Sequence, residues 1–393
     1  MNARRALKEF RAPEELAAQG RALTVVRAAY AERAPVGRRH SRAKLVLVPV
    51  VILLLGAATL SPAGASVTRW IKHALGVPHA SPALFRLPAA GSLLVSGPGG
   101  TWTVAADGSS RRLGAWRTAS WSPRGLYVAV TRRDELAAVD PHGTLHWALA
   151  RPAVSDPRWY PPTGYRVAYL SGHTLRVVAG DGTGDRPLAR DVAAVAPSWQ
   201  PGHAYRLAYV TPNGSVVVRD ADTHRVIWSA RPEGRPHELV WSPDGTELLV
   251  AGTSTAQTYN QHGQPVASVS APPGSPILDA ALSPDGREVA LVRGGAADDV
   301  VVAALAAHPA AAQRRVLSGA GLRQLAWSPD GRWLLVSWPA ADQLVFVRVA
   351  GSPRIAAASR IARQFATHAS ASATAGAFPS LEGWCCTATG SAG

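Results

Sequence analysis

Apolar and polar residues follow two different patterns along this chain of 393 residues. Residues 45–68 contain no charged side chain, and Leu45–Leu55 consists almost entirely of Leu, Val and Ile. Beyond residue 90, short apolar runs alternate with turns rich in Gly, Pro, Asp and Ser. The first pattern predicts one long apolar helix, and the second predicts many short β-strands.

A five-residue motif recurs in the second region, with Trp or Leu first and Gly last. Its clearest copies are Trp121–Gly125, Trp241–Gly245, Leu282–Gly286 and Trp327–Gly331, and variant copies begin at Trp159 and Trp199. Successive copies start 38, 40, 42, 41 and 45 positions apart. A period near 40, with several strands in each unit, predicts a β-propeller.

The motif residues are expected to carry the fold rather than chemistry. An aromatic residue can wedge between blades, Pro ends a strand, and Asp-Gly permits a tight turn. The residues given this structural role are Trp121, Pro123, Gly125, Trp159, Trp199, Trp241, Pro243, Asp244, Gly245, Pro284, Asp285, Gly286, Trp327, Pro329, Asp330, Gly331 and Trp384.

These repeats resemble the WD40-like (PD40) repeats of the TolB-type propeller family over about residues 85–386. The resemblance implies an all-β propeller. It does not select a function, because such repeats serve as scaffolds, ligand binders and enzyme appendages. In prolyl peptidases of this kind a hydrolase domain follows the propeller, and no such domain follows it in this sequence.

The ends of the propeller region predict how its ring closes. Three strand-like segments, at 91–95, 101–105 and 111–113, precede the first motif without an opening strand. The segment 378–386 places Trp384 where an opening strand would carry it. We therefore predict seven blades closed by overlap of the two ends. Residues 356–377 are expected to form a return loop, partly helical around 360–365.

The apolar stretch at 45–68 is long enough to be a membrane anchor. Its 24 residues would form a helix of about 36 Å, against about 30 Å of hydrocarbon. A buried core helix and a signal cleaved near Ala63–Ala65 are alternatives, but the 44 preceding residues favour a retained anchor. Positive charges before the span place the N-terminus in the cytoplasm and the propeller outside.

Five regions follow from these patterns. They are a basic cytoplasmic tail (1–44), a transmembrane helix (45–68), a linker (69–84), an extracytoplasmic propeller (85–386) and a C-terminal tail (387–393). Apolar residues from Leu16 to Tyr30 predict an amphipathic helix in the first region. A poorly ordered tail that only sets the topology is an equal alternative.

Net charge does not point to nucleic acid. The formal charge is +15, but residues 1–68 hold 11 basic and 4 acidic residues (+7), and the remainder hold 30 and 22 (+8). Arg greatly outnumbers Lys, as expected from a compositional bias. We therefore expect a membrane and a protein or envelope ligand as partners, and no nucleic acid.

No catalytic, cofactor or metal residue is predicted. Asp181–Asp185 has oxygen ligands at alternate positions, but it lies where the repeat needs a turn. Asp298–Asp299 is treated in the same way. Cys385 and Cys386 could form a vicinal disulfide outside the cell, although free or structural thiols are favoured.

Three functions stay open from the sequence. The first is a non-enzymatic scaffold whose binding residues lie in irregular loops such as 252–264 and 294–299. The second is an enzyme, a lyase or lactonase-like hydrolase, that uses acidic or His residues in the central channel. The third is a sensor whose cytoplasmic helix regulates a transcription factor, as anti-sigma proteins do.

Overall fold

The computed structural model describes residues 86–203, 205–305, 313–366 and 378–386. The chain divides into two compact units, Met1–Val51 and Ile52–Gly393, and all described residues belong to the second. They form seven four-stranded antiparallel sheets, which are the blades of a propeller. The fold class predicted from the repeat is therefore confirmed for this part of the chain.

Each blade is listed here from its innermost strand outwards. Blade 1 contains β28 (Ser380–Cys385), β1 (Ser92–Gly97), β2 (Gly100–Val104) and β3 (Ser110–Gly114). Blade 2 contains β4 (Thr118–Trp121), β5 (Val128–Arg132), β6 (Glu135–Val139) and β7 (Leu145–Ala150). Blade 3 contains β8 (Val154–Trp159), β9 (Arg166–Ser171), β10 (Thr174–Ala179) and β11 (Arg186–Ala189). Blade 4 contains β12 (Ser198–Trp199), β13 (Arg206–Val210), β14 (Val216–Asp220) and β15 (Val226–Ala230).

The last three blades follow the same order. Blade 5 contains β16 (Pro236–Trp241), β17 (Glu247–Gly252), β18 (Thr255–Asn260) and β19 (Pro265–Ser270). Blade 6 contains β20 (Ile277–Leu282), β21 (Glu288–Arg293), β22 (Asp298–Ala304) and β23 (Gln313–Gly319). Blade 7 contains β24 (Leu325–Trp327), β25 (Trp333–Trp338), β26 (Gln343–Arg348) and β27 (Arg354–Ser359).

The ring closes by overlap, as predicted. Strand β28 pairs antiparallel with β1, so that Trp384 lies opposite Leu93 and Ser380 lies opposite Ser96. The last described strand therefore supplies the innermost strand of the first blade. Closure leaves no blade with an open inner position, which removes edges that would pair with other chains.

Two segments predicted to be loops are strands. Residues 255–260 form β18, and β27 covers the start of the predicted return loop at 356–377. The helical part of that loop is confirmed, because Ile361–Gln364 forms one α-helical turn. Ile361 and the following Phe365 are buried against blades 1 and 7.

The hydrophobic core lies between neighbouring blades. Val300 and Leu317 of blade 6, for example, share one buried cluster with Leu334 and Val345 of blade 7. A blade is apolar on both faces, so it is stable only when it is packed between two others.

The membrane prediction falls on a part of the chain that is not described. The predicted span, the cytoplasmic helix, the linker at 69–84 and the C-terminal tail all lie outside the described residues. Within the described ranges, no helix is both long enough and apolar enough to cross a membrane.

Candidate functional site

The predicted motif residues lie in the turns between the first and second strands of the blades and in the packing between blades. Five of the motif tryptophans are buried, with exposed fractions of 3–7%, whereas Trp121 is half-buried. Three indoles donate a hydrogen bond to a carbonyl of the preceding blade. These bonds are Trp159 to Ser120, Trp199 to Arg158 and Trp327 to Ala281, at 3.2, 2.9 and 3.0 Å.

The motif Gly of one blade packs against the motif Pro of the preceding blade. Gly286, with φ +74°, lies against the ring of Pro243, so that an added Cβ would be 3.3 Å from it. In the turn itself, Ser242 donates to Asp244 and Gly245 donates to the Ser242 carbonyl oxygen. The motif thus fixes the turn locally and joins it to its neighbour.

A ring of polar side chains, which sequence reasoning missed, lines the central channel. Three of its four members lie three residues before the motif aromatic or Leu, and the fourth lies two residues before Trp384. All four lie on the innermost strand of their blade or directly before it. Each accepts a hydrogen bond from a backbone N–H of the next innermost strand. The pairs are Glu238 with Ala280, Asp279 with Leu325, Gln324 with Leu381, and Glu382 with Ala119.

This ring has a structural purpose. The innermost strands present their free edges to the channel, and an unpaired buried N–H group is costly. The channel side chains satisfy those groups and join adjacent blades at the same time. The sequence signal is a recurrent polar residue at one repeat position, visible only when the repeats are aligned on their first residue.

Burial perturbs the acidic members of the ring. Burial raises the pKa of Glu382 to about 7, partly offset by the nearby Arg158. Burial also raises the pKa of Glu238, and burial together with the adjacent Glu238 carboxylate raises that of Asp279. The three acidic side chains are half-buried: protein surrounds them, but they retain some accessible surface facing the channel.

The irregular strand β8 positions the Arg158 side chain near these acidic side chains. Strand β8 contains a bulge between Ser155 and Arg158, where Asp156 adopts φ +52° and Pro157 follows. Bulges re-aim side chains near functional sites. Here the bulge places Arg158 where its charge lowers the pKa of both Glu238 and Glu382.

The raised pKa of Glu382 predicts a pH-dependent stability. The folded state holds its proton up to about pH 7, whereas an ordinary Glu has a pKa of 4.5. The free energy of unfolding should therefore fall as pH rises through this window. Relative to Glu382→Gln, the wild type should lose about 3 kcal/mol of unfolding free energy between pH 4.5 and 8. Urea denaturation of both proteins at several pH values measures this, and a pH-independent difference would contradict it.

A second candidate site is an aromatic groove between blades 2 and 3, on the side of the ring that carries the motif turns. Its volume is about 570 Å³, within the size range of ligand sites. Leu126, Tyr127 and Tyr165 are 61, 39 and 68% exposed along it, and His146 and Trp147 are among its other lining residues. We call this surface the blade 2–3 groove.

Packing and hydrogen bonds fix the aromatic side chains of the groove in place. The Trp147 indole donates to the Gly180 carbonyl at 2.8 Å, and Gly182, with φ +86°, lies directly against the indole ring. The Tyr127 ring lies parallel to Trp159 at 6.4 Å and edge-on to His146 at 4.9 Å. An aromatic surface fixed in this way can bind without losing much side-chain entropy.

The groove departs from the repeat. After the motif Gly, blades 5 to 7 carry Thr246–Glu247, Arg287–Glu288 and Arg332–Trp333. Blade 2 carries Leu126–Tyr127 at that position, and Tyr165 follows the turn glycine of blade 3. Arg124 also replaces the motif Asp. Exposed apolar side chains thus replace mostly charged ones where two adjacent blades meet.

The other candidate residues of the sequence have structural roles. Asp181 accepts hydrogen bonds from Thr183 within a turn, and Asp185 is held by Arg176 and Tyr169. The sequence predicts a loop at Asp298 and Asp299, and this prediction is wrong. Asp298 begins β22 and is buried. Its carboxylate accepts hydrogen bonds from the backbone N–H groups of Gly321 and Leu322, at 2.7 and 3.0 Å.

The free-thiol prediction is also wrong, because Cys385 and Cys386 form a disulfide. It lies at the end of β28 beside the blade 2 turn, with the Cys386 Sγ 3.4 Å from the Pro123 carbonyl oxygen. In the described ranges, no three His, Cys, Asp or Glu side chains are arranged to hold a metal ion.

Comparison with known proteins supports the fold. No family model and no curated protein matches the sequence. Among solved structures, KlHsv2 with loop 6CD replaced by a Gly-Ser linker is similar, with a TM-score of 0.52, 15% identity, and coverage of 66% of this chain and 89% of that one. Hydrazine synthase from Kuenenia stuttgartiensis has a TM-score of 0.50 and 12% identity, covering 72% and 90%.

The β-propeller domain of Cps50 (Swd1) from Myceliophteria thermophila also has a TM-score of 0.50 and 12% identity, covering 62% of this chain and 86% of that one. At these identities the likeness concerns the fold alone. The seven-bladed propeller and its WD40-like repeat are therefore supported, and function has to be argued from the site.

Proposed function

We propose that this protein is a membrane-anchored, extracytoplasmic binding scaffold, related to TolB-like propellers, that holds a segment of a partner protein in the blade 2–3 groove. The observation that carries the proposal is the exposure of Leu126, Tyr127 and Tyr165 over a rigid aromatic floor. Contiguous exposed apolar surface of this kind is typical of interaction sites. Tyr and Trp are also the residues that most often dominate binding energy.

The enzyme alternative has a weaker basis in the channel. Glu238, Asp279 and Glu382 do converge there, as a channel enzyme would require. Each of them, however, already accepts a hydrogen bond from the backbone of a neighbouring blade. Such use explains their positions without a reaction. The sensor alternative depends on the cytoplasmic helix, which lies outside the described residues.

Groove binding is tested by photocrosslinking in intact cells. Benzoylphenylalanine is placed at Tyr165 in the full chain and, as a matched control, at Val226, an exposed apolar residue of blade 4. A partner should crosslink from position 165 and not from 226. Tyr165→Ala and Tyr127→Ala should then each weaken its binding tenfold or more, which is about 1.4 kcal/mol. Equal crosslinking from both positions would disprove the assignment.

The proposed location has its own test. The apolar stretch at 45–68 and the charges before it support an anchor with the propeller outside. The Cys385–Cys386 disulfide also fits an oxidising compartment. Protease added to intact cells, or to spheroplasts where an outer membrane is present, should digest the propeller and spare residues 1–44. Digestion of the propeller only in inside-out vesicles would reverse the topology.

A further inference from the structure

The outer edge of β7 differs from most other outer edges of the propeller. Proteins protect exposed edge strands with charges or Pro, because a bare edge invites pairing with another strand. Within the described residues, five of the seven outer strands carry Arg or Pro, namely β3, β11, β19, β23 and β27. Strands β7 and β15 carry neither. Arg225 and Arg231 directly flank β15 on both sides, whereas β7 is flanked by Thr144 before its first residue and by Arg151 only after its last residue.

Strand β7 also borders the blade 2–3 groove. His146 and Trp147, near its start, line the groove, and Leu145 is 55% exposed at the same end. The start of an outer strand without Arg or Pro is thus continuous with an exposed aromatic surface.

The free edge of β7 offers backbone groups for pairing. The Arg151 N–H donates to the Asp134 carbonyl, and the register continues as Ala150 opposite Glu135 and Ala148 opposite Ala137. In an antiparallel pair, hydrogen-bonded and outward-facing residues alternate. Both backbone groups of Ala148 therefore point away from β6. The Ala150 carbonyl also points outward and accepts from the Arg151 side chain at 2.7 Å.

Charge at the groove indicates what kind of strand would fit. Arg124 is exposed on the groove wall and pairs with no acidic residue of the described ranges. The Asp found at its position in three other motifs is absent here. Asp181, across the groove, is occupied by Thr183 of its own turn. An acidic side chain in the ligand would find its counter-charge at Arg124.

We infer that the groove binds an extended peptide segment that adds as a strand to the edge of β7, places alternate apolar side chains in the blade 2–3 groove and an acidic side chain at Arg124. This inference rests on the proposed function and specifies its partner. Main-chain hydrogen bonds to Ala148 supply affinity, and the aromatic groove selects side chains. Strand addition also gives the partner a fixed register, because a shift by one residue would turn its apolar side chains away from the groove.

The test uses the full chain in lipid nanodiscs and a random 12-residue peptide library displayed on phage. Peptides are selected on the wild type and counter-selected on the Tyr127→Ala/Tyr165→Ala protein. The inference predicts peptides with alternating apolar residues and one acidic residue. Ala148→Pro should weaken them tenfold or more, because it removes an outward N–H while the pairing with β6 does not use that group. Ala148→Ser, the matched control, should change binding less than twofold.

Two further measurements keep the result decisive if Ala148→Pro disturbs folding. Methylating alternate amides of the selected peptide should abolish binding in one register and spare it in the other. Arg124→Glu should weaken binding tenfold, whereas Arg124→Gln should weaken it less. Selection of groove-binding peptides that ignore Ala148→Pro and tolerate methylation in both registers would overturn strand addition and leave the proposed function standing. Failure to enrich any peptide over the counter-selected protein would count against both.

Discussion

A chain that ends at Ala377 will not form the stable ring. This deletion removes β28, which supplies the innermost strand of blade 1 and buries Trp384 between blades 1 and 7. The loss should exceed the about 3–5 kcal/mol expected for truncating a single buried Trp. It also removes the Glu382 carboxylate from the Ala119 N–H and leaves the edge of β1 unpaired. We expect a broad, early thermal transition in place of a single cooperative one.

A chain that ends at Cys386 is the control, because it keeps β28 and shortens only the tail. Circular dichroism and calorimetry should show this control melting like the full chain. Adding a peptide of residues 378–386 to the longer deletion should restore part of the lost transition. Unchanged melting of the chain that ends at Ala377 would refute closure by overlap.

The second large effect is expected for Trp327→Ala, which should cost about 3–5 kcal/mol of unfolding free energy. Trp327 is 6% exposed between blades 6 and 7, and its indole donates to the Ala281 carbonyl at 3.0 Å. Truncation therefore leaves a cavity and an unpaired carbonyl. Urea denaturation should show a lower midpoint with an unchanged slope.

Tyr165→Ala is the matched control, since this side chain is 68% exposed. Its unfolding free energy should stay within about 0.5 kcal/mol of the wild type, while partner binding falls. Trp327→Ala should instead lower the unfolding free energy and leave partner binding at the groove unchanged under conditions in which the protein stays folded. If Trp327→Ala unfolds like the wild type, then the tryptophans between blades do not stabilise the propeller as we propose.

The repeat was readable in the sequence because it is local. The period of about 40 residues, the strand pattern and the turn residues depend on neighbours along the chain, so they predict blades directly. The overlap of the two ends also followed, because an unpaired set of three strands needs a fourth and Trp384 supplied it. Segment 255–260 was mistaken for a loop because its polar residues looked irregular. In the fold they have partners, for example Tyr259 donating to Gln257.

The functional surfaces depend on the tertiary structure. Glu238, Asp279 and Glu382 meet only after the ring closes, since each comes from a different blade. The groove likewise joins Tyr127 and Trp147 of blade 2 to Tyr165 of blade 3, and no local pattern records that these residues share one cavity. The sequence alone determined that the chain builds a seven-bladed ring, because strand and turn preferences act between near neighbours. Only the packing of one blade against the next decided which side chains face the channel and the groove, because that packing brings together residues distant in the chain.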